Sequence, residues 1–190
     1  MNFLGHAFLT PDNNDLRFGN FIADGVKGNP VGKYAPGVVD GIILHRKIDA
    51  FSDHHASYKA LRNILPDSLK RFSGILGDMY FDHFLASRWE DFSVEKLTDF
   101  TGRYYAYLQT RSDEMPHLTL KYFPYMVAHD WLASYCSALS TARSIEQIAI
   151  RRPMLGLMAD GGDWLLEHQA SLGPLSASFL VDAQGFFTKK

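Results

Sequence analysis

Histidines and aspartates recur at steps of four in two apolar stretches of this chain, a spacing that on a helix puts them on one face. His45, Asp49 and Asp53 stand at i, i+4 and i+8. A step of four on a helix drifts by only about 40°, so the three share one stripe. Ile42, Ile43 and Leu44 run directly into His45, which makes this turn at least half buried. Asp78 and Asp82 repeat the step on a later segment, with His83 about 100° round from Asp82. Tyr80, Phe81, Phe84 and Leu85 crowd around that second group. An unpaired charge resists leaving water, so acids and imidazoles in such surroundings need partners. Two helices that face each other with these residues can enclose a divalent cation. Oxygen and nitrogen ligands without thiolate suit Mn²⁺, Mg²⁺, Fe²⁺ or Zn²⁺ in a hydrolytic site. The same spacing also suits a solvated face laced with ion pairs, or carboxylates that orient ligating histidines from behind.

The rest of the chain agrees with an all-α reading. No segment alternates apolar and polar residues with β-branched enrichment, and Gly and Pro fall mostly between periodic segments. Helices are predicted over 14–26, from Pro36 towards His54, over 56–65 and from Leu69 to Trp89. Further helices are predicted from Val94, after an N-cap at Ser93, to Arg111, over 118–136 with a kink or late start at Pro124, from Ser144 to Met158 with a break at Pro153, and from Pro174 to Ala183. A chain of 190 residues has room for one domain with a real core, so residues 1–190 are read as a single helical bundle. Hydrophobic residues at 46% and aromatics at 14% exclude a disordered tail. A net charge of −2 gives no bulk attraction to nucleic acid or a membrane surface. The single cysteine, Cys136, excludes an internal disulfide framework and a thiolate zinc cage. The start, Met-Asn-Phe-Leu-Gly-His, lacks the basic and apolar regions of a signal peptide, and no apolar run is long enough to span a bilayer. A cytoplasmic protein is expected. His6 and Asp24 also lie in apolar runs, Phe3–Leu9 and Gly19–Asp24.

The chain resembles the acyl carrier protein phosphodiesterase family. The resemblance rests on Met1-Asn2-Phe3-Leu4 with His6, Gly19-Asn20-Phe21-Ile22-Ala23-Asp24 with Lys27-Gly28, and Gly41-Ile42 with Leu44-His45-Arg46 and Ile48-Asp49. Ser52-Asp53-His54, Asp82-His83-Phe84-Leu85-Ala86 with Trp89, Met126, Asp130-Trp131-Leu132 and Ser134-Tyr135 continue it. It covers nearly the whole chain. It implies an all-α fold related, with rearrangement, to the HD metal phosphohydrolases, and a divalent metal, Mn²⁺ before Mg²⁺ or Fe²⁺. The implied reaction is release of 4′-phosphopantetheine from a serine of holo acyl carrier protein, an acidic partner. Gly5 stands where Ala is expected, a change between small residues with little expected effect. His129-Asp130 looks like an HD motif but is read as a decoy.

On this resemblance the expected ligands are His45, Asp49, Asp82 and His83, with Asp24 and Asp78 next as ligand or general base. His6, Asp53 and His54 would support the ligands or donate to the leaving oxygen, and Arg46 would offset phosphoryl charge. Arg62, Lys70, Arg71 and Arg88 would form the basic patch that meets the carrier. Two other readings use the same residues. One is an HD-type phosphohydrolase acting on a nucleotide; the other is a non-catalytic helical interaction protein whose acids form structural ion pairs.

Overall fold

A computed structural model describes residues 1–188. Twelve α-helices form among the described residues: α1 (Phe3–Leu9), α2 (Asn14–Ile22), α3 (Pro36–His54), α4 (Ala56–Ile64), α5 (Asp67–Lys70), α6 (Ser73–Ser87), α7 (Leu97–Gln109), α8 (His117–Ala128), α9 (Trp131–Ser134), α10 (Ala138–Arg151), α11 (Asp160–Glu167) and α12 (Gln169–Phe187). No strand forms among them; Val31 and Tyr34 make only an isolated bridge. No helix of the described residues is long and apolar enough to cross a membrane. The fold is all-α.

Helix α6 runs through the middle. Its residues from Met79 to Ala86 are buried without interruption, as expected of a helix that is apolar all round. It packs against α1, α4, α10 and α12. Helices α2 and α3 form the tightest pair, and two glycines permit it. A Cβ on Gly19 would stand 2.0 Å from the Val38 carbonyl oxygen, and one on Gly41 would stand 2.3 Å from the Leu16 carbonyl oxygen. Backbone meets backbone at both points, so neither contact can be relieved by a side chain turning away. This crossing sets Asn20 of α2 against His45 of α3.

Several boundaries differ from the sequence reading, each for a local reason. The predicted helix from Leu69 to Trp89 is broken. The Phe72 amide bonds to the Leu69 carbonyl at 2.8 Å, a tightened turn that carries Phe72 into the core before α6 starts. The predicted helix over 118–136 splits at Asp130, whose φ of 39° is left-handed. Its carboxylate then caps α9 by accepting from the Ala133 amide at 3.3 Å, so the His129-Asp130 pair is spent on a turn. Ser93 is no N-cap; α7 starts at Leu97 after Lys96, and the Ser93 hydroxyl accepts from the Glu95 amide. Helix α10 starts earlier than predicted, at Ala138, because the Ser137 hydroxyl caps it by accepting from Ser140. Helices α1 and α11 form where the sequence pattern marks none.

Candidate metal centre and active site

The site is built where α1, α2 and α3 meet. The His6 and His45 rings stack, with centroids 3.9 Å apart and planes 12° from parallel. Asp49, one turn beyond His45, reaches both: Oδ1 lies 3.1 Å from His6 Nε2, and Oδ2 lies 3.2 Å from His45 Nε2. Asp24, in the short 3₁₀ turn after α2, places Oδ1 3.4 Å from His45 Nε2. Both histidines are buried, whereas the carboxylates open to solvent.

A hydrogen-bond chain settles which nitrogen of His45 faces the cleft. The Thr10 hydroxyl gives its one proton to the His6 carbonyl at 2.7 Å. It can therefore only accept from the Asn20 amide nitrogen, 2.7 Å away. That turns Asn20 Oδ1 towards His45 Nδ1, at 3.0 Å, and makes Nδ1 a hydrogen-bond donor. Nε2 is left to face Asp24, Asp49 and the cleft. Fixing a ring through its far nitrogen is how metal-binding histidines are oriented.

Charge in the cluster is concentrated on His45. Burial would lower its pKa, but hydrogen bonds to Asp24 and Asp49 outweigh burial and raise it to about 9. Burial pushes His6 down to about 4, and the neighbouring His45 charge adds to this. Burial would raise Asp49, but its bonds to His45 and His6 hold it far below the usual carboxylate range. The hydrogen bond to His45 likewise lowers Asp24. One cation is thus shared between two carboxylates at a point where two imidazole nitrogens converge.

The residues fit a divalent cation. One ligand atom each from His6, His45 and Asp49 all lie within 4.8 Å of one another, two nitrogens and one oxygen. His6 Nδ1 is buried without a partner, so the ring is not held by an alternative hydrogen bond there. Asp24 is the nearest further carboxylate.

The other expected residues lie elsewhere. Asp82, fully buried, accepts from the Leu4 and Gly5 amides at 2.8 and 3.1 Å, so its carboxylate receives the start of α1. His83 donates from Nδ1 to the Tyr135 carbonyl at 2.7 Å. Neither belongs to the three-residue cluster. Asp78 accepts from the Met1 amino group and from the Tyr58 hydroxyl, both at 2.8 Å. It lines an open cleft of about 330 Å³ together with Asp24, His45, Asp49 and Asp53. His54 bonds back to the Ala50 carbonyl and does not line that cleft. Arg46 donates to the Val26 and Gly28 carbonyls, bracing the loop behind Asp24. Lys70 pairs with Asp67 and Arg88 with Asp91, each at 2.7 Å, which neutralises half of the expected basic patch. Gly5 matters more than its size suggested. A Cβ there would stand 2.8 Å from Asp82 Oδ1 and closer still to the Met1 side chain. Sequence reasoning assigned no role to Asn20 or Thr10. The one signal for Asn20 was a neutral polar residue inside the apolar run Gly19–Ile22.

Fold and site together define an all-α protein with a histidine–carboxylate cluster suited to a divalent cation. A family model described as acyl carrier protein phosphodiesterase matches residues 1–182. Among similar curated proteins are the acyl carrier protein phosphodiesterases of Serratia proteamaculans, 32% identical and covering 84% of this chain and 83% of that one, and of Yersinia pestis, 31% identical with 94% and 93% covered. That of Salmonella agona is 32% identical, with 90% of each chain covered. No solved structure matches the chain. The chain belongs to the acyl carrier protein phosphodiesterase family.

Proposed function

We propose that this protein hydrolyses the phosphodiester between 4′-phosphopantetheine and a serine of holo acyl carrier protein. The products are apo carrier and free 4′-phosphopantetheine, and the reaction belongs in the cytoplasm. The observation that carries this reading is the family match over residues 1–182. The cluster of His6, His45 and Asp49 supports it by providing a place for the chemistry.

His6, His45 and Asp49 would hold a divalent metal, Mn²⁺ first and Mg²⁺ or Fe²⁺ as alternatives, with Asp24 beside them. A divalent ion so held supplies Lewis acidity, lowering the pKa of water and offsetting phosphoryl charge. Asn20 keeps His45 Nε2 turned to the cleft. Asp24, ionised and open to solvent, stands where it can take a proton from the attacking water. The water oxygen bonds to phosphorus, the bond from phosphorus to the serine oxygen breaks, and that oxygen leaves as the alcohol after protonation. Asp53 and Asp78 line the same cleft. The Met1 amino group and Tyr58 hold Asp78 in place, which limits the repulsion that a bare acid would exert on a phosphodiester.

The test is to incubate the protein with holo carrier and Mn²⁺ and weigh the carrier by mass spectrometry, with cyclic nucleotides and nucleotide monophosphates in parallel. Loss of the prosthetic group from the carrier, with the nucleotides untouched, is the expected result. Turnover of nucleotides alone would point to the nucleotide phosphohydrolase. No turnover of any of them, with no metal bound, would point to the interaction protein.

A further inference from the structure

An apolar hollow lies beside the cleft, outside the His6, His45 and Asp49 cluster. Phe3, Met79, Trp131, Tyr135 and Ile148 wall a groove of about 280 Å³ between α1, α6, α9 and α10. It adjoins the cleft. Asn2 lines the groove and also the cleft that holds His45 and Asp49, while Phe3 lines the groove and the pocket at His6. The shared wall is fixed, because the Asn2 amide donates to the Tyr135 hydroxyl at 2.9 Å. Tyr135 is itself held from behind by the His83 ring on its carbonyl. This gives His83 a structural role in the groove.

One edge of the groove is polar. Arg143, Gln147 and Arg151 follow each other at steps of four along α10, all exposed and all lining it. Among the described residues neither arginine has a carboxylate partner and the Gln147 amide makes no hydrogen bond, whereas Arg17, Arg88, Arg103 and Arg111 are all ion-paired. An apolar floor with one free amide on its edge suits a flexible chain with few polar groups. The two uncompensated guanidiniums make this edge positive, which suits the acidic carrier that presents such a chain.

We propose that this groove binds the pantetheine arm of the substrate, its dimethyl and methylene groups against Phe3, Trp131 and Ile148 and its amides along Gln147, while the phosphate remains in the cleft. The assignment rests on the proposed function, since it takes the arm from that substrate. It makes Gln147 and Ile148 determinants of specificity with no part in bond breaking.

Calorimetric titration of the Mn²⁺-loaded protein with free pantetheine tests the groove without any turnover. The wild type should bind, and Gln147→Trp and Ile148→Trp, which fill the groove from an exposed and a half-buried position, should each weaken binding at least tenfold. Both should also raise the KM for holo carrier at least tenfold. Val94→Trp, on an exposed loop outside the groove, should bind as the wild type does. Pantetheine binding that is undetectable in the wild type, or equal in all four proteins, overturns the proposal. So does a loss of turnover confined to acylated carriers, which would give the groove to the acyl chain. A wild type that binds pantetheine in the groove but never hydrolyses holo carrier would sink the proposed function and leave the groove standing.

Discussion

His45 satisfies two demands with its two ring nitrogens: Nδ1 is held from behind by Asn20, and Nε2 meets Asp24 and Asp49. Removing that hold in Asn20→Ala should weaken Mn²⁺ binding by 10–100-fold, the usual cost of losing an outer partner of a ligand. Fluorescence or calorimetric titration with Mn²⁺ would show it, and unchanged affinity would remove Asn20 from the site. Asp82 carries a different consequence. Burial raises its pKa to about 7, against the pull of the Met1 amino group and the Leu4 and Gly5 amides. A carboxyl whose folded pKa exceeds its ordinary value of 3.8 stabilises the fold fully below that value. The contribution fades as the pH rises to and through 7. Urea unfolding of wild type and Asp82→Asn between pH 4.5 and 7.5 should show the wild-type advantage shrinking with pH, by at most ~1.4 kcal/mol per unit. An advantage that grows with pH would contradict this. The residues were legible in part. His45 and Asp49 stood out by their spacing, since i and i+4 meet on any helix. The partnership with His6 was not legible, because it depends on how α1 docks on α3. Asp82 and His83 were legible as a buried acid and imidazole, but their backbone partners at Leu4, Gly5 and Tyr135 were not, because those partners come from elements distant in the chain.

At the scale of elements, the glycine crossing of α2 and α3 holds the site together. Gly41→Ala would drive a methyl into the Leu16 carbonyl, and overpacking of this kind costs about 1–3 kcal/mol. The melting temperature should fall by several degrees, and Mn²⁺ affinity should fall with it as Asn20 is pushed from His45. Gly74→Ala, on α6 with open space around its Cβ position, should melt no lower than wild type, and equal behaviour of the two variants would deny the crossing its role. Helix α3 was legible over its whole length, from Pro36 at its first position to His54, because a proline start and a four-residue stripe are both local signals. The interruptions at Phe72 and Asp130 were not. Each is decided by tertiary demands, a phenylalanine turned into the core in one case and a left-handed cap in the other, and the helical pattern continues across both.

At the scale of the whole molecule, the near-zero net charge conceals an uneven surface. Lys70 and Arg88 are ion-paired, whereas Arg143 and Arg151 have no carboxylate partner among the described residues. Exposed charges of this sort act mainly on association rate. The kcat/KM for holo carrier should therefore fall as salt rises from low to moderately high concentration, with kcat nearly constant; a salt-independent kcat/KM would discount them. The all-α architecture was legible from periodicity, and the family from motifs spread along the chain. The location of the groove was not, because it is formed by residues from four separate helices. The claim on which the account turns is that the cation is held by α1 and α3, with α6 serving only as scaffold. Metal content and holo carrier turnover of Mn²⁺-treated His6→Ala and His83→Ala decide it. His6→Ala should lose the metal and more than a hundredfold in turnover, while His83→Ala keeps its metal. Metal lost from His83→Ala and retained by His6→Ala would contradict the account.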